Sequence, residues 1–99
     1  MMRHEVVLRI KPGVTREVIE RTLRDVYDLL VEIPGVERVR YGANKAPAYR
    51  HALVVVDLVD EEALHRLGRH PQHARAVRLL SRMAESTAVG SYVAGSERH

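Results

Sequence analysis

The chain has 99 residues, six histidines, no cysteine and a formal net charge of +3. That length fits one domain, spanning residues 1–99, and the missing cysteine excludes disulfides, thiolate metal sites, iron–sulfur clusters and cysteine nucleophiles. The basic residues are scattered among acidic ones, and there is no Phe or Trp to stack on bases, so no nucleic-acid partner is expected.

The longest purely apolar run, Ala52 to Val56, falls far short of the ~20 residues that a spanning helix needs. Met1 leads into charged, strand-like sequence with no apolar leader. A cytoplasmic protein with no membrane partner is the expectation.

Residues 3–11 alternate, with His4, Val6, Leu8 and Ile10 on one face and Glu5, Val7, Arg9 and Lys11 on the other. A period of two predicts a half-buried strand, which Pro12-Gly13 ends. Thr15 then begins a helix predicted over 16–33, whose stripe is Val18, Ile19, Thr22, Leu23, Val26, Leu29, Leu30 and Ile33. Pro34-Gly35 closes it. A second strand follows at Val36–Tyr41, and Gly42 to Tyr49 forms an exposed connection.

The third strand, Arg50 to Leu58, is apolar on both faces, which predicts that both are covered. Asp60 caps a short helix through Leu67, ended by Gly68. The turn His70-Pro71-Gln72-His73 opens another helix over about 72–85, and Ser86 to Val93 completes a fourth strand. Gly95 to His99 is expected to fray.

This order of elements predicts an α+β fold: a ferredoxin-like βαββαβ sandwich with a four-stranded antiparallel sheet. Helices would cover one sheet face. The other, expected to carry Val7, Val54, Val56 and Leu58, needs a cover of its own. Pairing two such faces gives a dimeric α+β barrel, so a homodimer is expected.

Histidine is the chemical resource. His4 shares the phase of Val6 and Leu8, and His51 shares that of Leu53 and Val55, so both are expected to point inward. His73 leads the helical stripe Ala76, Val77 and Leu80. It stands at a helix start, where free backbone N–H groups favour a neutral imidazole suited to general-base work. The plainer reading of His4 and His51 is a hydrogen-bonded histidine at a strand end. His65 and His70 are expected to be exposed, and His99 is terminal.

No metal is expected. His70 and His73 are three apart with His65 nearby, but Pro71 breaks the helical spacing and no carboxylate follows at a ligand position. A Gly-rich phosphate loop and a G-x-S-x-G elbow are both missing, which removes dinucleotide and serine-hydrolase chemistry.

The stretch Arg3-His4-Glu5-Val6-Val7-Leu8-Arg9-Ile10-Lys11-Pro12-Gly13-Val14-Thr15 resembles the opening of the stress-responsive A/B barrel, or Dabb, family. Ile33-Pro34-Gly35-Val36, Tyr49-Arg50-His51-Ala52-Leu53-Val54-Val55 and His70-Pro71-Gln72-His73 fit the same pattern in order. The resemblance covers about residues 2–94. It implies a dimeric α+β barrel, and its best understood members are polyketide cyclases of the olivetolic acid cyclase type. Those close a poly-β-ketone by an aldol reaction with no metal or organic cofactor.

By that resemblance His73 matches the general base, His4 the opening-strand histidine and His51 the third-strand histidine. Leu67 stands where the plant cyclase has a tyrosine that orients the base. Val26 stands at a second pocket tyrosine, with Tyr27 one residue away. Tyr41 is a further candidate for the developing enolate, and Leu8 and Leu80 for the apolar lining.

The expected function is therefore a cofactor-free aldol-type cyclase or lyase acting on a hydrophobic, polyketide-like or phenolic small molecule. Two alternatives stand beside it. One is a cofactor-independent oxygenase or isomerase of the same barrel type; the other is a non-catalytic, stress-associated small-molecule-binding protein.

Overall fold

The computed structural model describes residues 1–45 and 50–95. The elements in chain order are β1 (Met2–Ile10), α1 (Arg16–Leu30), β2 (Val36–Ala43), β3 (His51–Leu58), α2 (Glu61–Arg69), α3 (Pro71–Met83) and β4 (Ala84–Val93). The strands form one antiparallel sheet in the order β2-β3-β1-β4. This is the expected ferredoxin-like α+β arrangement. Tyr49, within the expected connection, and His99 lie outside the described residues.

Local chemistry sets the element ends. Thr15 Oγ1 accepts the Val18 N–H at 3.2 Å and starts α1, which buries Ile19, Leu23, Val26 and Leu30. Gly35 takes φ +90 at the turn into β2, and a Cβ there would meet the Ala63 Cβ at 2.6 Å. Asp60 Oδ1 caps α2 by accepting the Ala63 N–H at 2.8 Å.

Gly68 does not end α2, which continues to Arg69. Pro71 stops it instead, because the residue before a proline is pushed out of the helical region. His70 is accordingly extended, with φ −76 and ψ 136. It closes α2 by donating its N–H to the Leu67 carbonyl, and opens α3 by accepting the Gln72 N–H on Nδ1 at 3.1 Å. His70 is thus a half-buried cap, not an exposed side chain.

The core lies between the helices and one sheet face. Leu8, Leu23, Val26, Leu58 and Leu67 are almost fully buried, each contributing roughly 1.5–3 kcal/mol of transfer free energy. Pairing of β1 with β3 places His4 opposite Val56, Val6 opposite Val54 and Leu8 opposite Ala52. Ala52, Val54, Val56 and Leu58 therefore face the helices.

That register reverses the expected phase of β3. His51, Leu53, Val55 and Asp57 lie on the face that no helix among the described residues covers, while Val54, Val56 and Leu58 belong to the core. Both faces of β3 are apolar, so alternation alone does not choose between them; the pairing with β1 does.

The uncovered face has an apolar centre and an ionic end. Val7 sits opposite Leu53 on β3 and Ala88 on β4, and both large side chains are about 40% exposed (42% and 39%). At the ionic end Arg3 Nε donates to Asp57 Oδ1 at 2.7 Å, and Arg40 Nη2 reaches Oδ2 at 3.5 Å. The Asp57 carboxyl is held below its ordinary pKa, first by the Arg3 hydrogen bond and further by the charges of Arg3, Arg40 and Arg38, against a smaller cost of burial. No helix among the described residues is long and apolar enough to cross a membrane.

Candidate functional site

A cavity of about 220 Å³ opens between α3 and the β1–β4 side of the sheet. Its floor is Val6 and Leu8 of β1 with Val54 and Val56 of β3. Leu30 and Leu67 close it from α1 and α2, and α3 contributes His73, Ala76, Val77, Leu80 and Ser81. Thr87 and Val89 form the β4 wall. Aliphatic side chains dominate, and His4 and His73 supply the titratable groups.

The local sequence dictates where each ring stands. His4 alternates with Val6 and Leu8 on β1, so it shares their inward face. His73 is the third residue of α3, one turn in from the His70 cap, with Pro71 preset for the first helical position. Its N–H and that of Ala74 both donate to the His70 carbonyl, at 3.0 and 3.2 Å.

The two imidazoles meet edge to face, with centroids 6.3 Å apart and planes inclined by 65°. His4 Nδ1 lies 2.7 Å from Ser91 Oγ on β4. Burial lowers the His4 pKa below 6.5, and the nearby His73 lowers it further. Burial alone lowers that of His73. Both rings are therefore neutral at pH 7. Each then carries one basic nitrogen and one N–H; at His4, Nδ1 is engaged by Ser91, which leaves Nε2 for the cavity.

Of the residues expected at the site, the structure brings His4, His73, Leu8, Leu67 and Leu80 to this cavity. His51 is on the opposite sheet face. Val26 is fully buried in the core and does not line the cavity. Tyr27 and Tyr41 pack against each other, centroids 5.8 Å apart, between α1 and β2 and away from the histidines. Distance in sequence from a matched position is a poor guide here. A helix turns by about 100° per residue, so Tyr27 does not inherit the direction of Val26.

Sequence reading missed Ser81, Thr87, Val89 and Ser91. Ser81 is a lone polar residue on α3 beside the stripe of Ala76, Val77 and Leu80. For the other three the signal is faint, because β4 carries small and polar residues on both faces and lacks a readable hydrophobic alternation. Only pairing with β1 reveals them: Thr87 opposes Leu8, Val89 opposes Val6 and Ser91 opposes His4. Among the described residues, no three His, Asp or Glu side chains gather closely enough to hold a metal ion.

The architecture recurs in solved structures. A dimeric ferredoxin-like protein of unknown function from Thermobifida fusca is 24% identical, with TM-score 0.80 over 94% of this chain and 90% of that one. A hydroxynitrile lyase from Passiflora edulis is 17% identical, with TM-score 0.78 over 99% and 96%. SnoaB, a cofactor-independent oxygenase from Streptomyces nogalater, is 14% identical, with TM-score 0.79 over 97% and 94%. At these identities the likeness is one of fold. No curated protein sequence matches the chain. The stress responsive A/B barrel domain, Dabb, matches residues 2–94, and the chain belongs to that family.

Proposed function

We propose that this protein is a cofactor-free small-molecule enzyme that closes a compact polyketide-like or phenolic substrate by an aldol reaction, with His73 as general base. The observation that carries this reading is the pair of neutral imidazoles, His4 and His73, 6.3 Å apart in a cavity lined mainly by aliphatic side chains.

The chemistry needs no redox partner. His73 takes a proton from a carbon flanked by two carbonyls, leaving the electron pair as an enolate. An N–H of His4 donates to the enolate oxygen. The enolate carbon then adds to a second carbonyl of the same molecule, forming the new carbon–carbon bond. The resulting alkoxide recovers the proton from the His73 imidazolium. His51, on the far face of the sheet, takes no part.

The cavity bounds the substrate. It exceeds the ~150 Å³ that admits benzene and falls below the roughly 300–1,000 Å³ of drug-sized sites. A single ring with a short chain fits, with the chain emerging between the exposed Val77 and Val89.

The working unit of this proposal is a homodimer. Val7 and Leu53 give the uncovered face an apolar centre, and burying it against a second copy removes that surface from water.

The test is product analysis with a panel of tri- and tetraketide acids, comparing wild type with His73→Ala under an oxygen electrode. Cyclised product without oxygen uptake, lost in the variant, supports the reading. Oxygen uptake coupled to turnover makes the protein an oxygenase that uses the same proton abstraction. Tight binding with no product makes it a carrier.

A further inference from the structure

Ser91 stands directly opposite His4 in the β1–β4 pairing, so the two side chains share one sheet face. The Ser91 Oγ is 2.7 Å from Nδ1 of His4. Among the described residues no other hydrogen bond reaches the His4 ring, and none reaches that of His73. A neutral imidazole carries its proton on one nitrogen only, and a serine hydroxyl has one proton to give and rotates to place it. The Ser91–His4 contact therefore decides what His4 shows to the cavity.

We propose that Ser91 is a positioning residue: its hydroxyl donates to Nδ1 of His4, which leaves the ring proton on Nε2 as a hydrogen-bond donor to the cavity. This rests on the proton-abstraction reading, in which the two histidines have unlike duties. His73 must keep a lone pair for the substrate carbon. A second lone pair beside it has no use, whereas the growing charge on the enolate oxygen needs a donor. In the other tautomer Nδ1–H would donate to Ser91, and Nε2 would turn a repelling lone pair toward that oxygen.

The assignment is read without any substrate, from long-range ¹H–¹⁵N correlation spectra of the full chain labelled at histidine, above pH 7. In wild type, His4 shows a pyridine-like Nδ1 and a pyrrole-like Nε2. In Ser91→Ala the two nitrogen resonances shift toward each other as the tautomers mix, and Ser91→Thr, which keeps the hydroxyl, restores the wild-type pattern. A pyrrole-like Nδ1 in wild type overturns the proposal, and so do His4 resonances that stay put in Ser91→Ala. If Ser91→Ala does not fold, the wild-type spectrum alone decides which nitrogen is protonated.

With a substrate in hand, Ser91→Ala lowers kcat roughly three- to tenfold with little change in KM, the scale of one lost hydrogen bond. Failure of the reaction assignment looks different. His73→Ala then retains full activity while the His4 spectra still follow Ser91.

Discussion

His4 of β1 and His73 of α3 hold their rings 6.3 Å apart, edge to face, and neither carries a charge at neutral pH. A base must be unprotonated to act, and burial lowers the pKa of His73 below 6.5. Activity is therefore expected to fall on the acid side with an apparent pKa below 6.5 and to stay level through neutrality. His73→Ala should lose about 10²- to 10⁴-fold in kcat. A pH–rate profile whose acid limb lies above 6.5 would contradict this assignment.

The same burial ties stability to pH. Unfolding returns each ring to its ordinary pKa of 6.5, so the unfolded chain binds more protons just below that value. Stability from the two neutral rings is complete above pH 6.5 and is lost as pH falls through their lowered folded-state values. Urea melts at pH 7.5 and pH 5 should show this loss, and His73→Leu should flatten it. An unchanged slope in that variant would assign the acid sensitivity to other groups.

Filling the cavity should separate binding from folding. Ala76 is buried on α3 and lines the cavity directly. Ala76→Leu places three more carbons in open space, not in packed core, so its cost should stay below about 1.5 kcal/mol. Affinity for aromatic ketides should drop at least tenfold in titration calorimetry. Retained affinity would mean that ligands bind elsewhere.

Leu53 and Val7 face one another on the uncovered side of the sheet. Leu53→Lys puts a charge at the centre of that apolar patch and should yield monomers in analytical ultracentrifugation. The His4–His73 cavity lies on the other side of the sheet, so the spectra of the two rings should persist. A variant that remains dimeric moves the interface to another surface.

Gly35 allows a fold-level check. An alanine there would combine a φ of +90 with a Cβ 2.6 Å from that of Ala63. Strain and overlap together predict a loss of roughly 2–4 kcal/mol for Gly35→Ala. By contrast, Gly13→Ala meets only the strain, since open space surrounds its φ of +89. Chemical denaturation of the two variants should rank them in that order.

The strength of each periodic signal explains what could be read from residues alone. β1 alternates polar and apolar cleanly, so His4 falls on the correct face. α3 has a clear stripe, so His73 does too. β3 is apolar throughout its middle, and the side assigned to His51 is decided by its pairing with β1, a long-range fact absent from any local window. The helix stop at Pro71 was written in the chain, but Gly68 offered a competing signal that the helix tolerates. Ser91 was invisible because a serine in a strand of small polar residues has no phase until its partner is known.

β4 has a kinetic consequence for the cavity. It hydrogen-bonds to β1 along one edge and, among the described residues, has no strand on the other, yet Thr87 and Val89 form one wall of the cavity. Edge strands open at lower free energy than central ones. Under the proposed function, parting β4 from α3 would admit a ligand while Val54 and Val56, on β3, stay in place. On that reading, association and release would run at the pace of local fraying, while the β3 part of the floor stays packed.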